Sequence, residues 1–387
     1  MKDNTFERKQ KEKRPVLAIC YDFDKTLAPD DMQAQGFIQS VGYDVGEFWS
    51  ETNALVKDGS MDQILAYMYK MSQAAKDKIV LTKEKLKEYG SNVSLFDGVR
   101  DWFDRIRTYG DSRDVTVEHY IISAGLKEMI EGTSIAGKFE RIYASSFHYD
   151  AQGVAIWPAQ VVNFTNKTQF LFRIEKGVLD VNDSGVNESF APEEVRVPFR
   201  NMIYIGDSET DVPCMKLVNS YGGHSIGIYN AKTEDKTKVY KMMRDGRIKY
   251  YMPADYSEGT PLDRLVKSII DRTAANEALE NIHYRCKKEY LDEDKKTDAE
   301  EKKRWNLIFA LETSESFAAT HTIIKRLNAC RNWTAKEIRY LLHIAGSNSQ
   351  VKLILEDHDV EEFYQKILAL ADESDQPTEV FSKLSKK

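Results

Sequence analysis

The chain is poor in cysteine, in histidine and in long apolar runs, and it has no excess of positive charge. Its four cysteines, Cys20, Cys214, Cys286 and Cys330, lie far apart and form no C-x-x-C pair. That argues against a disulfide framework or a cysteine zinc site, and makes a reducing cytoplasm the expected compartment. The seven histidines show no metal-ligand spacing. No stretch reaches the roughly 20 apolar residues that a membrane helix needs. The apolar run behind the basic start "MKDNTFERKQKEKR" is also too short for a signal peptide. A net charge of −7 offers no global basic field, so neither nucleic acid nor a membrane is an expected partner.

What is present fits a globular protein of two or three domains: 387 residues, 42% apolar and 30% charged. Residues 1–13 read as a basic, flexible tail. "PVLAIC" is a continuous apolar run bounded by charge, the pattern of a strand buried on both faces of a parallel sheet. Over residues 31–95 the period becomes helical, in "QAQGFIQSV", "VGEFWSETNALV" and "MDQILAYMYKMSQAA". "SLFDGVRDWFDRIRTYG" is a further amphipathic helix. "TVEHYIISAGL" and "FRNMIYIGDSETDVPCMKLV" carry two more buried strands, the second followed by a tight acidic turn and a helix. "GKFERIYASSFHYDAQGVAIWPAQ" reads as a hairpin turning at Gln152-Gly153. "VNDSGVNESFAPEEVRVP" reads as a surface excursion, and "PLDRLVKSIIDRT" as the closing helix. Alternating strands and helices predict an α/β fold with an open parallel sheet, whose ligands bind beyond the carboxyl ends of the strands.

Four short signals occur in order: "YDFDKTL" with Asp22 and Asp24, a strand finishing in Ser123, Lys167 opening the helix of "NKTQFLFRIEKG", and "GDSETD" with Asp207 and Asp211. Of these, Asp22, Asp24, Ser123 and Asp207 fall at those strand ends. Residues i and i+2 of a strand share a side, so Asp22 and Asp24 would crowd two like charges together. That is costly unless a cation or a proton intervenes. Each residue also has a duller reading: turn former, helix cap, or one surface lysine among many.

In this order and on these elements the four signals resemble the haloacid dehalogenase superfamily over about residues 14–272. The resemblance implies a Rossmann-like core (14–30 and 96–272) with a helical cap (31–95) inserted after the first strand, as in its phosphoserine-phosphatase-like branch. The chemistry is consistent. A phosphate monoester is a dianion, so an anionic nucleophile needs a cation to approach it. Oxygen ligands suit Mg2+, with Asp22 and Asp207 supplying carboxylates. The resemblance adds the backbone carbonyl of Asp24 as a ligand, and gives Asp211 the task of bracing Lys167 and the metal surroundings. Asp22 is then the nucleophile and Asp24 the proton carrier. Ser123 donates to the phosphoryl group, and Lys167 binds phosphate and screens the acids. In this superfamily a dehalogenase lacks the acid at Asp24's position, so its presence favours phosphoryl transfer. An insert that closes over the site favours a small phosphorylated metabolite as substrate. Asp30 and Asp31 are read as solvated acids. Two rivals stand beside the phosphatase reading: a scaffolding protein that only recognises a phosphorylated ligand, and a phosphotransferase with an acceptor other than water.

Residues 273–387 lie outside the resemblance. "YRCKKEYLDEDKKTDAEEKKRWN" is a mixed-charge helix or linker. Beyond it Thr334 and Glu337, and again Asp359 and Glu362, have capping-box spacing. Ile338, Leu341, Leu342, Val351, Ile354, Leu355, Phe363 and Ile367 predict helix faces that must bury against something. The expectation is an all-helical C-terminal domain that docks on the core or offers a surface for a protein partner or self-association.

Overall fold

The computed structural model describes residues 6–190, 194–293 and 299–371. Its contacts divide the chain into two compact units. The first runs to Val186 and resumes over Arg196–Ala278; the second holds the chain from Leu279 onward with the described part of Asn187–Val195. Among the described residues no helix is long and apolar enough to cross a membrane.

The first unit is built on a seven-stranded sheet: β1 (Val16–Tyr21), β2 (Thr116–Leu126), β3 (Arg141–Tyr149), β4 (Ala155–Gln160), β5 (Met202–Gly206), β6 (His224–Tyr229) and β7 (Tyr250–Pro253). The spatial order is β4-β3-β2-β1-β5-β6-β7. All pairings are parallel except β3 with β4, the predicted hairpin. β1 lies centrally and is buried throughout. Its alternation divides the core: Leu17, Ile19 and Tyr21 enter one hydrophobic cluster, Val16, Ala18 and Cys20 the other. Helix Val99–Ser112 covers the first face with Trp102, Phe103 and Ile106. Helices Thr168–Lys176 and Val212–Ser220 cover the second with Phe170, Leu171, Met215 and Val218. Each such side chain, once fully buried, contributes about 1.5–3 kcal/mol.

Between β1 and β2 stand helices Val45–Gly59, Gln63–Ala75 and Lys83–Ser91. They begin where the sequence supplies caps: Asp44 accepts from the amides of Gly46 and Glu47, Asp62 from Ile64 and Leu65, and Thr82 from Lys85. The insert builds no separate core, because Phe37, Phe48, Met68 and Leu86 join the same cluster as Leu17 and Ile19. Glycines allow one close approach: a Cβ at Gly90 would stand 1.9 Å from the Met129 carbonyl oxygen.

Two expectations change here. The flexible tail expected over residues 1–13 is tied down from Arg8 onward. Arg8 Nε donates to the Lys176 carbonyl, Lys9 N to that of Gly177, and Lys9 Nζ lies 3.1 Å from Glu118. The surface excursion also returns with a buried residue, Arg196, which grips Glu118 through two bonds of 2.7 and 2.6 Å and takes Glu12 at 2.6 Å. Residues in the basic tail are ordered because a buried acid on β2 needs cations. Burial alone would raise the Glu118 carboxyl, but Arg196, Tyr120 and Lys9 bring it down to about 2 from its ordinary value of 4.5. A depressed acid stabilises the fold above its unfolded pKa, and that stabilisation is lost as pH falls toward the folded one. Arg196→Met should therefore destabilise the protein by about 3–5 kcal/mol at pH 7, since it strands a buried charge. In urea unfolding the gap to wild type should narrow between about pH 4.5 and pH 2; a gap that stays constant would remove this account.

In the second unit, helices Ala299–Glu312, Phe317–Asn328, Ala335–Ser347 and His358–Ala369 share a core of their own that includes every apolar position expected to be buried there. Thr334 and Glu337 form the capping box, and Glu337 also takes Arg304 at 2.9 Å. Asp359 does not cap: the last helix starts at His358, and the Asp359 carboxylate lies 2.9 Å from His321 Nδ1. The boundary expected near residue 273 falls inside a continuous helix, Pro261–Glu293.

Candidate active site

The carboxyl ends of β1, β2 and β5 meet at one place. Asp22 follows directly on β1, and its amide still donates to the Ile205 carbonyl of β5 at 3.0 Å. One carboxylate oxygen accepts the Phe23 amide at 2.8 Å. The chain then turns tightly, with the amides of Thr26, Leu27 and Ala28 all directed at the Phe23 carbonyl and Lys25 in the left-handed region at φ +57°. Asp24 lies within that turn and accepts the Met32 amide at 2.9 Å.

Lys167 is the hub. It is fully buried, with Nζ 2.7 Å from Asp211 and 3.3 Å from Asp22. Asp211 is fixed in turn by the Tyr204 hydroxyl at 2.9 Å and by the amide and hydroxyl of Ser208 at 3.4 Å each. Gly206 makes room for it: a Cβ there would stand 2.4 Å from the Asp211 carboxylate. One carboxylate oxygen from each of Asp22, Asp207 and Asp211 lies within 4.8 Å of the others.

Ser123 is buried near the end of β2, where the pairing with β3 shifts register. Its hydroxyl accepts the Gly125 amide at 3.1 Å and favours the charged form of the neighbouring Asp22 carboxylate. Gly125 also faces Asp24, since a Cβ there would meet both Asp24 and Ser123. Asp22, Lys167, Asp207 and Asp211 thus form one cluster, with Ser123 beside Asp22 and the Asp24 carboxylate outside the close triad. Asp31 is not simply solvated, because Lys25 holds both its oxygens at 2.9 Å.

Crowding sets the protonation. Burial, then the Asp211 charge, pushes Asp22 up to about 6 against the pull of Lys167. Burial, Asp211 and Asp22 push Asp207 up to about 7. Burial, then Asp31 and Asp22, hold Asp24 well above the usual carboxylate range. Lys167 stays charged: burial works against its ammonium, but Asp211 and Asp22 more than compensate. Three carboxylates facing one lysine leave negative charge in excess, and every spare donor is an oxygen. That set fits a hard divalent cation such as Mg2+. Asp22 and Asp207 are its natural holders, because the oxygens of Asp211 already accept from Lys167, Tyr204 and Ser208.

Other residues at the site carry no motif. Tyr67, from insert helix Gln63–Ala75, donates its hydroxyl to the Ala124 carbonyl at 2.8 Å. Asn163 Oδ1 accepts from Thr165 and Asn166, shaping the turn before Lys167, and its amide donates to Asp62 at 2.9 Å. The one available signal was "NFTN", an asparagine-rich turn just ahead of the lysine.

An open, mostly parallel α/β sheet with acids at its strand ends defines a class in which ligands bind where the strands finish. The chain belongs to the haloacid dehalogenase-like hydrolase family, whose model matches residues 19–216, more than half of its length. An uncharacterised protein of Borreliella burgdorferi is 24% identical over 279 residues, covering 65% of this chain and 95% of that one. Among solved structures, a HAD family hydrolase from Salmonella enterica is 16% identical, with a TM-score of 0.45 over 67% of this chain and 74% of that one. A substrate-bound phosphoserine phosphatase is 14% identical, with a TM-score of 0.42 over 66% and 99% respectively.

Proposed function

We propose that this hydrolase is a Mg2+-dependent phosphatase that removes phosphate from a small phosphomonoester through an aspartyl-phosphate on Asp22. The supporting observation is the buried Lys167 bridging Asp22 and Asp211, with Asp207 completing a triad of oxygen donors at the strand ends. When bound by Asp22 and Asp207, the cation supplies charge neutralisation for the phosphoryl oxygens.

The chain's own groups do the rest. An Asp22 oxygen attacks phosphorus while Asp24, held protonated by burial and its acidic neighbours, gives its proton to the leaving oxygen. Asp24 then takes a proton from the water that hydrolyses the acyl phosphate, restoring both acids. Lys167 and the Ser123 hydroxyl stabilise charge on the phosphoryl oxygens, and Asp211 with Tyr204 keeps Lys167 in place. The insert favours a small substrate, since Tyr67 brings it onto the backbone next to Ser123. We further propose that residues 273–387 offer a surface for a partner or for self-association, tested by comparing the oligomeric state of the protein with and without that region.

The direct experiment is a panel of phosphorylated metabolites assayed for phosphate release. Mg2+ should support turnover, EDTA should abolish it, and added Mg2+ should restore it. Full turnover in rigorously metal-free protein would remove this mechanism.

A further inference from the structure

The site's outer edge carries the lysines Lys25, Lys238 and Lys241 alongside the acids Asp31 and Glu209. Residues 232–249 carry seven lysines and arginines against three acids, in a chain with net charge −7. Helix Thr237–Arg244 in this stretch runs alongside the acidic loop: Lys238 Nζ lies 3.8 Å from Asp207, and Lys241 Nζ 2.5 Å from Glu209. Lys25, from the turn after β1, reaches the same edge, where its charge and that of Lys238 both act on Asp207. Both ammonium groups are open to solvent, with 68% of the Lys238 side chain exposed and 43% of that of Lys25.

Helix stability does not explain Lys238. It sits in the first turn, where the helix dipole disfavours a cation. Among the described residues its one ion pair within 4.0 Å is with Asp207, the residue read above as a cation holder. With that carboxylate committed to a dication, the lysine would keep only the longer-range pull of Glu209 and Asp235 and would be open to a further anion. Lys25 differs, being held by Asp31.

Resting on the phosphatase reading, we propose that Lys238, assisted by Lys25, forms a subsite for a second phosphate on the leaving group. The substrate class is then a small bisphosphorylated metabolite, of which only the phosphate over Asp22 is removed. A phosphate dianion suits two flanking ammonium groups better than a single carboxylate does.

The test compares propane-1,3-diol monophosphate with its bisphosphate on full-length protein with Mg2+. Wild type should show a KM about tenfold or more lower for the bisphosphate, equivalent to one ordinary charge-assisted contact. Lys238→Ala and Lys238→Glu should collapse the ratio of the two KM values toward one, and Lys238→Arg should keep it. Calorimetry on Asp22→Asn protein gives a readout independent of turnover. Bisphosphate should bind more tightly than monophosphate, and that margin should vanish when Lys238→Glu is added. Equal KM values in wild type, or a preference that survives Lys238→Glu, would overturn the subsite. Absence of all hydrolysis would instead fail the phosphatase reading, and the calorimetric margin would still decide whether a second phosphate is bound.

Discussion

Asp22→Asn protein should release no phosphate from any phosphomonoester, a fall of more than about 10⁴-fold, the order seen when other enzymes lose a nucleophile. The substitution is nearly isosteric, so the loss cannot be assigned to packing. Asparagine keeps an oxygen for the Phe23 amide, which donates to Asp22 at 2.8 Å, and Lys167 keeps Asp211 at 2.7 Å. What disappears is the anionic oxygen that attacks phosphorus, together with one donor to the cation. In EDTA the variant should be at least as stable as wild type by urea unfolding, because it removes one of three crowded buried carboxylates. Lost activity with preserved stability separates a chemical role from a structural one. Residual turnover of even a few per cent would move the nucleophile to another residue. A scaffolding protein would give a different result from the outset, with no wild-type turnover to lose.

The central strands β1 and β5 were legible because each is a short apolar run met at once by an acid, Asp22 or Asp207, a pattern that burial on both faces imposes. The acids at their ends were legible for the same reason, since charge at the end of a buried strand needs a purpose. What the sequence hid depends on contacts between distant segments. Arg196 looks like part of a polar loop until Glu118, 78 residues away in sequence, needs a partner. Lys9 and Glu12 look like tail residues until Glu118 takes the first and Arg196 the second. Tyr67 and Asn163 reach the site through a backbone carbonyl and a helix cap, and side-chain spacing does not encode such partners. Asp359 shows the converse failure. Its spacing to Glu362 fits a capping box, but the helix begins earlier and the carboxylate turns to His321.

The second acid of the pair should behave differently from the first. Asp24→Asn keeps the acceptor for the Met32 amide, which donates to Asp24 at 2.9 Å, so the turn after β1 should hold. It keeps the nucleophile but removes the proton carrier. An alkyl phosphate, whose leaving oxygen needs a proton, should fail at the first step. An aryl phosphate with an acidic leaving group needs little such help, so transfer to Asp22 should still proceed. Hydrolysis of the acyl phosphate would then lack its base, and general acid–base assistance is typically worth about 10²–10⁴-fold. Mixing Asp24→Asn enzyme with p-nitrophenyl phosphate should therefore give a burst of nitrophenol close to one equivalent, followed by turnover slowed by about that factor. Intact-mass spectrometry after a rapid acid quench should find one added phosphoryl group, and peptide mapping should place it on residue 22. A slow variant with neither burst nor adduct would leave Asp24 without a part in the second step. Phosphate mapped to any other residue would overturn the assignment of Asp22, because a trapped intermediate marks the atom that attacked.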